Sequence, residues 1–246
     1  VGHIISLGKE VKISMLPLAL LAGGRATRMY PLTEKTPKSL LSVHGEAFIV
    51  HQLRYLRAQG LQKIVICIGH LGEHIESMIG DGSAFDLSIA YSYDGPSLLG
   101  TGGALKKAIP LLGGSFFVLY GDSFLPISFS AVEHAYVSSG KPALMTILKN
   151  NNQWDSSNIL FSKGQIRDYN KRISSAEMMY IDYGLSIASA DIFIPVPENF
   201  PCDLADLYHV LAQQGHLAGY EVTERFYEIG SPKGFEETKE YFNQRR

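Results

Sequence analysis

Residues 21 to 41, LAGGRATRMYPLTEKTPKSLL, gather two glycines, two arginines, two prolines and two lysines behind an apolar run. Gly23 and Gly24 let the backbone turn with no side chain in the way, so successive N–H groups can converge on the oxygens of an anion. Arg25 and Arg28 add planar, bidentate donors that suit phosphate. A Gly–Gly turn alone reads more readily as a surface loop with unrelated charges. Lys38 changes that balance, because Pro31 and Pro37 stiffen the chain on either side of Thr33 and can return Lys38 to the same mouth as a further phosphate cation. The chemistry implied is the handling of a phosphorylated ligand. Two familiar phosphate motifs are excluded. Gly8-Lys9 precedes Glu10 and Gly140-Lys141 precedes Pro142, so no P-loop is present, and in LLGTGGAL Leu105 stands where a dinucleotide fingerprint needs its last glycine.

Such a loop needs a sheet to hold it. LPLALL, KIVICIG, SIAYSY, SFFVLYG and ALMTIL are short, apolar and rich in β-branched or aromatic residues, which predicts strands. Between them, FIVHQLRYLRAQG sets Ile49, Leu53 and Leu56 at helical spacing and stops at Gly60, and GEHIESMIGDG and GALKKAIPLLGG are shorter helical pieces. This alternation predicts an α/β fold: a Rossmann-like, mostly parallel mixed sheet flanked by helices, with ligands at the carboxyl ends of the strands. After residue 150 the texture changes. NILFSKGQIRDYNK and MMYIDYGLSIASADIFI read as strands with polar turns, a smaller antiparallel flap, DLADLYHVLAQQ reads as a helix, and YEIGSPKGFEETKEYF runs from a strand into a helix capped by Ser231 with Pro232 first. The expected organisation is one domain over 15–246, with halves of about 15–150 and 151–246, preceded by an N-terminal extension over residues 1–14.

Composition sets the bounds. A chain of 246 residues, 46% of them hydrophobic, can bury roughly 70 to 75% of its unfolded surface. A net charge of -2 without a dense basic run gives no grip on a nucleic-acid polymer. Cys67 and Cys202 form neither a disulfide framework nor a zinc spacing, so a reducing cytoplasm is expected. No apolar stretch approaches the roughly 20 residues that span a bilayer, and VGHIISLGKEVKIS lacks a signal peptide's apolar block, so no membrane association is expected.

With these residues in view, the chain resembles the sugar-1-phosphate nucleotidyltransferases, whose signature loop carries two glycines, Thr-Arg-Met/Leu, Pro-Leu-Thr and Pro-Lys. The similarity runs in the family's order through HLGEHIESMIGDGSAFDLSIAYSYDG, LLGTGGALKKAIPLL, FFVLYGDSFL, RDYNK, YIDYGLSI and FYEIGSPKGFEE, nearly everything after Met15. It implies an enzyme that transfers a nucleoside monophosphate from a nucleoside triphosphate to a sugar 1-phosphate, releasing pyrophosphate. LGTGGAL is most like the guanylyltransferases for mannose or heptose 1-phosphate, which points to GTP and to nucleotide-sugar supply for polysaccharide. Uridylyltransferases for muramic-acid or other hexose 1-phosphates share much of the pattern and stay open, as does a non-catalytic nucleotide-sugar-binding regulator.

The resemblance also assigns roles. Leu21, Ala22, Gly23, Gly24, Thr27 and Arg28 would meet the nucleotide, with Gly100, Thr101 and Gly102 at the base and Tyr120 beside it. Arg28, Lys38, Asp122 and Lys171 would be catalytic, Lys38 bridging the α-phosphate and the attacking sugar phosphate. Asp94, Asn170, Lys171, Asp182 and Gly184 would hold the sugar, Asp94 being read equally as an Asp-Gly turn. Mg2+ is implied, held by Asp122 and Glu228. Three positions depart from the family pattern: Glu228 replaces the usual aspartate, Asp182 a more familiar asparagine, and Ala26 the commoner glycine, harmless unless φ is positive there. His70-Leu-Gly-Glu-His74 spells a zinc-peptidase motif, but His70 ends a strand and Gly72 opens the next element, so the two imidazoles are expected to diverge. The substrates are thus expected to be a nucleoside triphosphate and a sugar 1-phosphate; oligomeric state is not readable.

Overall fold

The computed structural model describes residues 15–245 apart from 151, 155 and 174; the extension expected over residues 1–14 lies outside the described residues. In chain order the elements are β1 (Leu18–Leu21), the hairpin β2 (Ser42–Val43) and β3 (Glu46–Ala47), α1 (Phe48–Ala58), β4 (Lys63–Ile68), α2 (Gly72–Ile79) and β5 (Ser88–Tyr93). Then follow α3 (Gly100–Leu112), β6 (Ser115–Tyr120), β7 (Ser123–Phe124), α4 (Phe129–Ser139), β8 (Ala143–Lys149), β9 (Ile159–Ser162) and β10 (Gln165–Tyr169). The chain continues through β11 (Tyr180–Ser189), α5 (Leu204–Gln213), β12 (Leu217–Val222), β13 (Tyr227–Glu228) and α6 (Pro232–Asn243). Short 3-10 turns at Thr27–Met29 and Lys38–Leu40 carry the residues of the opening loop.

Nine strands form one sheet in the order β5-β4-β1-β6-β11-β8-β12-β10-β9. The pairings from β5 through β6 are parallel, as is β12 with β8, whereas β11 runs antiparallel to both neighbours and β9–β10 is an antiparallel hairpin. The second half therefore supplies a flap hairpin and also inserts β11 between β6 and β8, so both halves share one sheet. The apolar runs are continuous because both faces are covered. Leu18 and Leu20 join a core with Ile49, Leu53, Ile75 and Phe129 from α1, α2 and α4, while Ala19 points to the opposite core with Leu105, Leu204 and Tyr208 from α3 and α5.

A third, smaller cluster joins Met29, Leu41, Val43, Phe48, Phe124, Ile229 and Phe235. Its members flank Arg28, Lys38, Asp122 and Glu228 in the chain, so packing of ordinary apolar side chains fixes the segments that carry the charges. Helix α4 was not anticipated: its run FSAVEHAYVSS has no clean apolar stripe, and the Ser128 hydroxyl, accepting from Ala131 N–H at 3.3 Å, caps it.

Candidate functional site

At the carboxyl ends of β1 and β6 lies a cavity of about 230 Å³, lined by Leu21, Ala22, Gly23, Gly24, Lys38, Ser39, Cys67, Asp94, Leu98, Gly100, Thr101, Ala104, Tyr120, Gly121 and Asp122. The expected nucleotide residues other than Thr27, Arg28 and Gly102 are among them. The opening loop is held by Thr33, 1% exposed, whose hydroxyl donates to the Ala26 carbonyl at 2.8 Å. Ala26 has φ +51°, so the condition under which alanine is strained is met. Lys38 Nζ stands 2.5 Å from Asp122 Oδ2, each side chain about one-fifth exposed, so the second phosphate cation and the strand-end carboxylate meet at the cavity wall.

Arg28 and Glu228 join them just beyond that wall. Built from the backbone, a Cβ at Gly230 would lie 2.8 Å from Asp122 Oδ2, 2.9 Å from Glu228 Oε2 and 3.5 Å from Arg28 Nη2. Two carboxylates and a guanidinium therefore surround one point that glycine keeps clear. Glu228 is also a helix cap: its Oε2 accepts from Gly230 N–H and, at 3.0 Å, from Ser231 N–H, and its Oε1 accepts from the Ser231 hydroxyl at 2.5 Å. The longer side chain curls back over the N-terminus of α6, where a carboxylate is favoured by the orphan N–H groups and the dipole. Gly234 makes room for it, since a Cβ there would sit 1.7 Å from Glu228 Oε1. Arg25 turns away to a separate hollow with His70 and Glu73. Within HLGEH, His70 precedes α2 and His74 lies inside it, with Leu71 at φ +57° between them.

The glycine-rich wall also packs against a second segment of the chain. Gly102 N–H and Gly103 N–H donate to the Cys202 carbonyl at 2.8 and 3.2 Å, and Thr101 Oγ1 donates to Asp203 Oδ1 at 2.9 Å while accepting from Leu204 N–H at 2.8 Å. A Cβ at Gly100 would stand 2.6 Å from the Cys202 carbonyl oxygen, and one at Gly103 2.6 Å from that of Phe200. These glycines admit the 200–204 segment against α3. Gly100 and Thr101 still line the cavity, but Gly102 is committed to Cys202 and does not. Asp94 also sits in this cavity rather than with the other expected sugar residues: it is buried, its Oδ2 accepts from Leu99 N–H at 3.2 Å, and burial holds its carboxyl above the usual range.

The remaining expected sugar residues do not line this cavity. Lys171 Nζ is 5.8 Å from the centre of the Tyr120 ring and 5.9 Å from that of Tyr169. Asp182 accepts from Gly184 N–H at 3.0 Å and from the Tyr169 hydroxyl at 3.3 Å, with Gly184 at φ +104°. Burial, and next the Asp182 carboxylate, hold the phenols of Tyr120 and Tyr169 well above the usual tyrosine range, so both stay neutral donors. Asn170 is spent on the turn: its Oδ1 accepts from Arg172 N–H and Ile173 N–H, each at 2.9 Å, which shapes the loop bearing Lys171. The cavity-lining residues that sequence reasoning missed are Ser39, Cys67, Leu98, Ala104 and Gly121. Of these only Gly121, a glycine between an apolar strand and Asp122, carried a signal. Cys67 is buried, its thiol pushed up to about 12, which leaves it as wall rather than nucleophile.

Magnesium takes hard oxygen ligands, commonly one or two carboxylates completed by phosphate and water. The pair Asp122 Oδ2 and Glu228 Oε2 around Gly230 is a donor set of that kind, and among the described residues no cluster of three or more metal-ligating side chains exists. The residues fit an ion whose other ligands come with the substrate.

Residues 19–156 match the family model described as nucleotidyl transferase. An N-acetylmuramate alpha-1-phosphate uridylyltransferase of Neisseria meningitidis serogroup B is 46% identical over 113 residues, 46% of this chain and 49% of that protein. The namesake from Caulobacter vibrioides is 28% identical over 237 residues, 92% of this chain and 95% of its own. Several of the first curated relatives are matched over only about half to three-fifths of their length. The crystal structure of HddC from Yersinia pseudotuberculosis complexed with GMP-PN superposes with a TM-score of 0.77 at 20% identity, covering 93% of this chain and 100% of that one.

Proposed function

Because the chain belongs to the nucleotidyl transferase family, we propose that it joins a nucleoside triphosphate to a sugar 1-phosphate. An oxygen of the sugar phosphate attacks the α-phosphorus, a new phosphorus–oxygen bond forms, and the bond to the bridging oxygen breaks with its electron pair leaving on pyrophosphate. No covalent enzyme intermediate is required, so catalysis reduces to aligning two anions and neutralising charge. The observation that carries this reading is the meeting of Lys38 with Asp122 at 2.5 Å on the wall of the cavity that Gly23 and Gly24 also line. Lys38 would bridge the two phosphates, Arg28 would hold the leaving pyrophosphate, and Lys171 would bind the sugar phosphate. Asp182 and Gly184 would orient the sugar. Asp122, with Glu228, would hold Mg2+, which supplies charge neutralisation at the phosphates when bound.

The two uridylyltransferase relatives favour UTP and an N-acetylmuramate 1-phosphate. A guanylyl reading is kept on one observation: the Asp94 carboxyl lines the cavity with Gly100 and Thr101, where a carboxyl oxygen suits a base edge that offers donors, as guanine does. Free thiols at Cys67 and Cys202, and the absence among the described residues of any helix long and apolar enough to cross a membrane, are compatible with a cytoplasmic setting, where such substrates occur. The test is pyrophosphate release with magnesium over the four common nucleoside triphosphates and a panel of sugar 1-phosphates. Turnover by one pair supports the proposal. Silence across the panel with nucleotide binding intact would favour a non-catalytic sensor.

A further inference from the structure

Helix α1 turns Gln52 inward, 2% exposed on a face otherwise made of Phe48, Ile49, Leu53 and Leu56. A carboxamide among apolar side chains is unfavourable unless its donors are used. Both are used on one target: Nε2 donates to the Tyr120 carbonyl at 3.2 Å and to the Ser123 carbonyl at 2.7 Å. Those carbonyls bracket the Gly121-Asp122 turn. The turn has two main-chain ties as well, Gly121 N–H to the Leu21 carbonyl and Ile229 N–H to the Asp122 carbonyl, both 2.9 Å. Gln52 Oε1 has no hydrogen-bond partner among the described residues. Its donors, not its acceptor, therefore account for a polar residue at this position.

We propose that Gln52 is a positioning residue for Asp122. By holding the end of β6 and the start of β7 together from beneath, it fixes the turn between them and so the direction in which the Asp122 carboxylate meets Lys38. An apolar residue of similar volume would fill the space but withdraw the side-chain donor from both carbonyls and leave the turn freer to tilt. The assignment rests on the nucleotidyl-transfer reading, and its test is arranged to separate the two.

Pyrophosphate release by the wild type, Gln52→Met and Gln52→Glu is measured from pH 5.5 to 8.5 with magnesium and the substrates the wild type uses, beside urea unfolding of each. Gln52→Met is expected to lower kcat by roughly ten- to a hundredfold, the size of a small misplacement of a reacting group, with KM for the nucleotide changed less than about threefold. Gln52→Glu is expected to regain activity relative to wild type as pH falls, because a protonated carboxyl donates to one of the carbonyls and an ionised one repels both. A Met variant with wild-type kcat, or a Glu variant whose pH profile parallels wild type, overturns the proposal. If the Met variant shows no cooperative unfolding, the Glu profile alone decides. If the wild type turns over no substrate pair, the proposed function fails, and the clamp is read by amide exchange: Gly121 and Ile229 should exchange at least about tenfold faster in a folded Gln52→Met or, failing that, in Gln52→Glu at pH 8. Unchanged protection would sink the clamp itself.

Discussion

At the scale of single residues, the site is a balance of charges within a few ångströms. Lys38 pairs with Asp122, the Glu228 carboxylate is taken up by the Gly230 and Ser231 N–H groups, and Arg28 stands exposed beside the same point at Gly230, where it can meet a substrate phosphate. Arg28 is exposed and belongs to none of the apolar cores, so Arg28→Ala should leave the unfolding midpoint nearly unchanged while lowering kcat by about a hundred- to a thousandfold. Steady-state kinetics beside a denaturant titration checks both halves. Asp94 gives a pH prediction. Burial raises its carboxyl pKa in the folded state, so the folded protein binds this proton more tightly than the unfolded chain. Its contribution to stability is present below the unfolded pKa and is lost as pH rises through the folded value. Asp94→Asn keeps an acceptor for Leu99 N–H and removes the titration. The variant should gain stability relative to wild type at pH 7 compared with pH 4, measured by urea unfolding at both; a pH-independent difference would refute it.

At the scale of elements, the glycines are explained by what approaches them. Gly100 and Gly103 lie beneath the 200–204 segment, and Thr101 and Asp203 tie the starts of α3 and α5 together through shared hydrogen bonds. The N-terminus of α6 is closed by the Glu228 carboxylate lying on Gly234. Gly234→Ala must push that carboxylate aside. The expected loss is about 1 to 3 kcal/mol, the usual range for overpacking, together with weaker magnesium dependence of turnover. Gly45, with open space around it but φ +84°, is a control for simple backbone strain: Gly45→Ala should destabilise without touching magnesium dependence. Equal effects on magnesium dependence from both variants would remove the link between the cap and the site.

At the scale of the whole molecule, the sheet joins the expected nucleotide and sugar halves, because β11 from the second half lies between β6 and β8 and carries Asp182 and Gly184. Ligands that touch both halves should therefore stabilise the chain as one unit. A nucleoside triphosphate with magnesium at about a hundred times its Kd stabilises by roughly 2.7 kcal/mol, which for a domain of this size is a rise in Tm of about 5 to 10 °C. The base that gives the largest shift identifies the nucleotide. Asp122→Asn should abolish the magnesium-dependent part of that rise; an undiminished shift would argue against Asp122 as a ligand of the ion.

The order of apolar runs and helical stripes determined the α/β class, and the types and spacing of Gly23, Gly24 and Lys38 pointed to the loop that the structure brings to the cavity, because local conformation and charge are properties of neighbouring residues. Ser231 and Pro232 declared the start of α6 for the same reason. Tertiary structure alone decided the contacts made across long separations: that Gly102 serves Cys202, that Asp94 lies in the cavity with Gly23, that Glu228 curls onto Gly234, and that Gln52 grips the turn of Asp122. Such pairings depend on how the helices and loops stack on the sheet. A hydrogen-bonding group does not announce in sequence which distant carbonyl or amide the fold will bring to it.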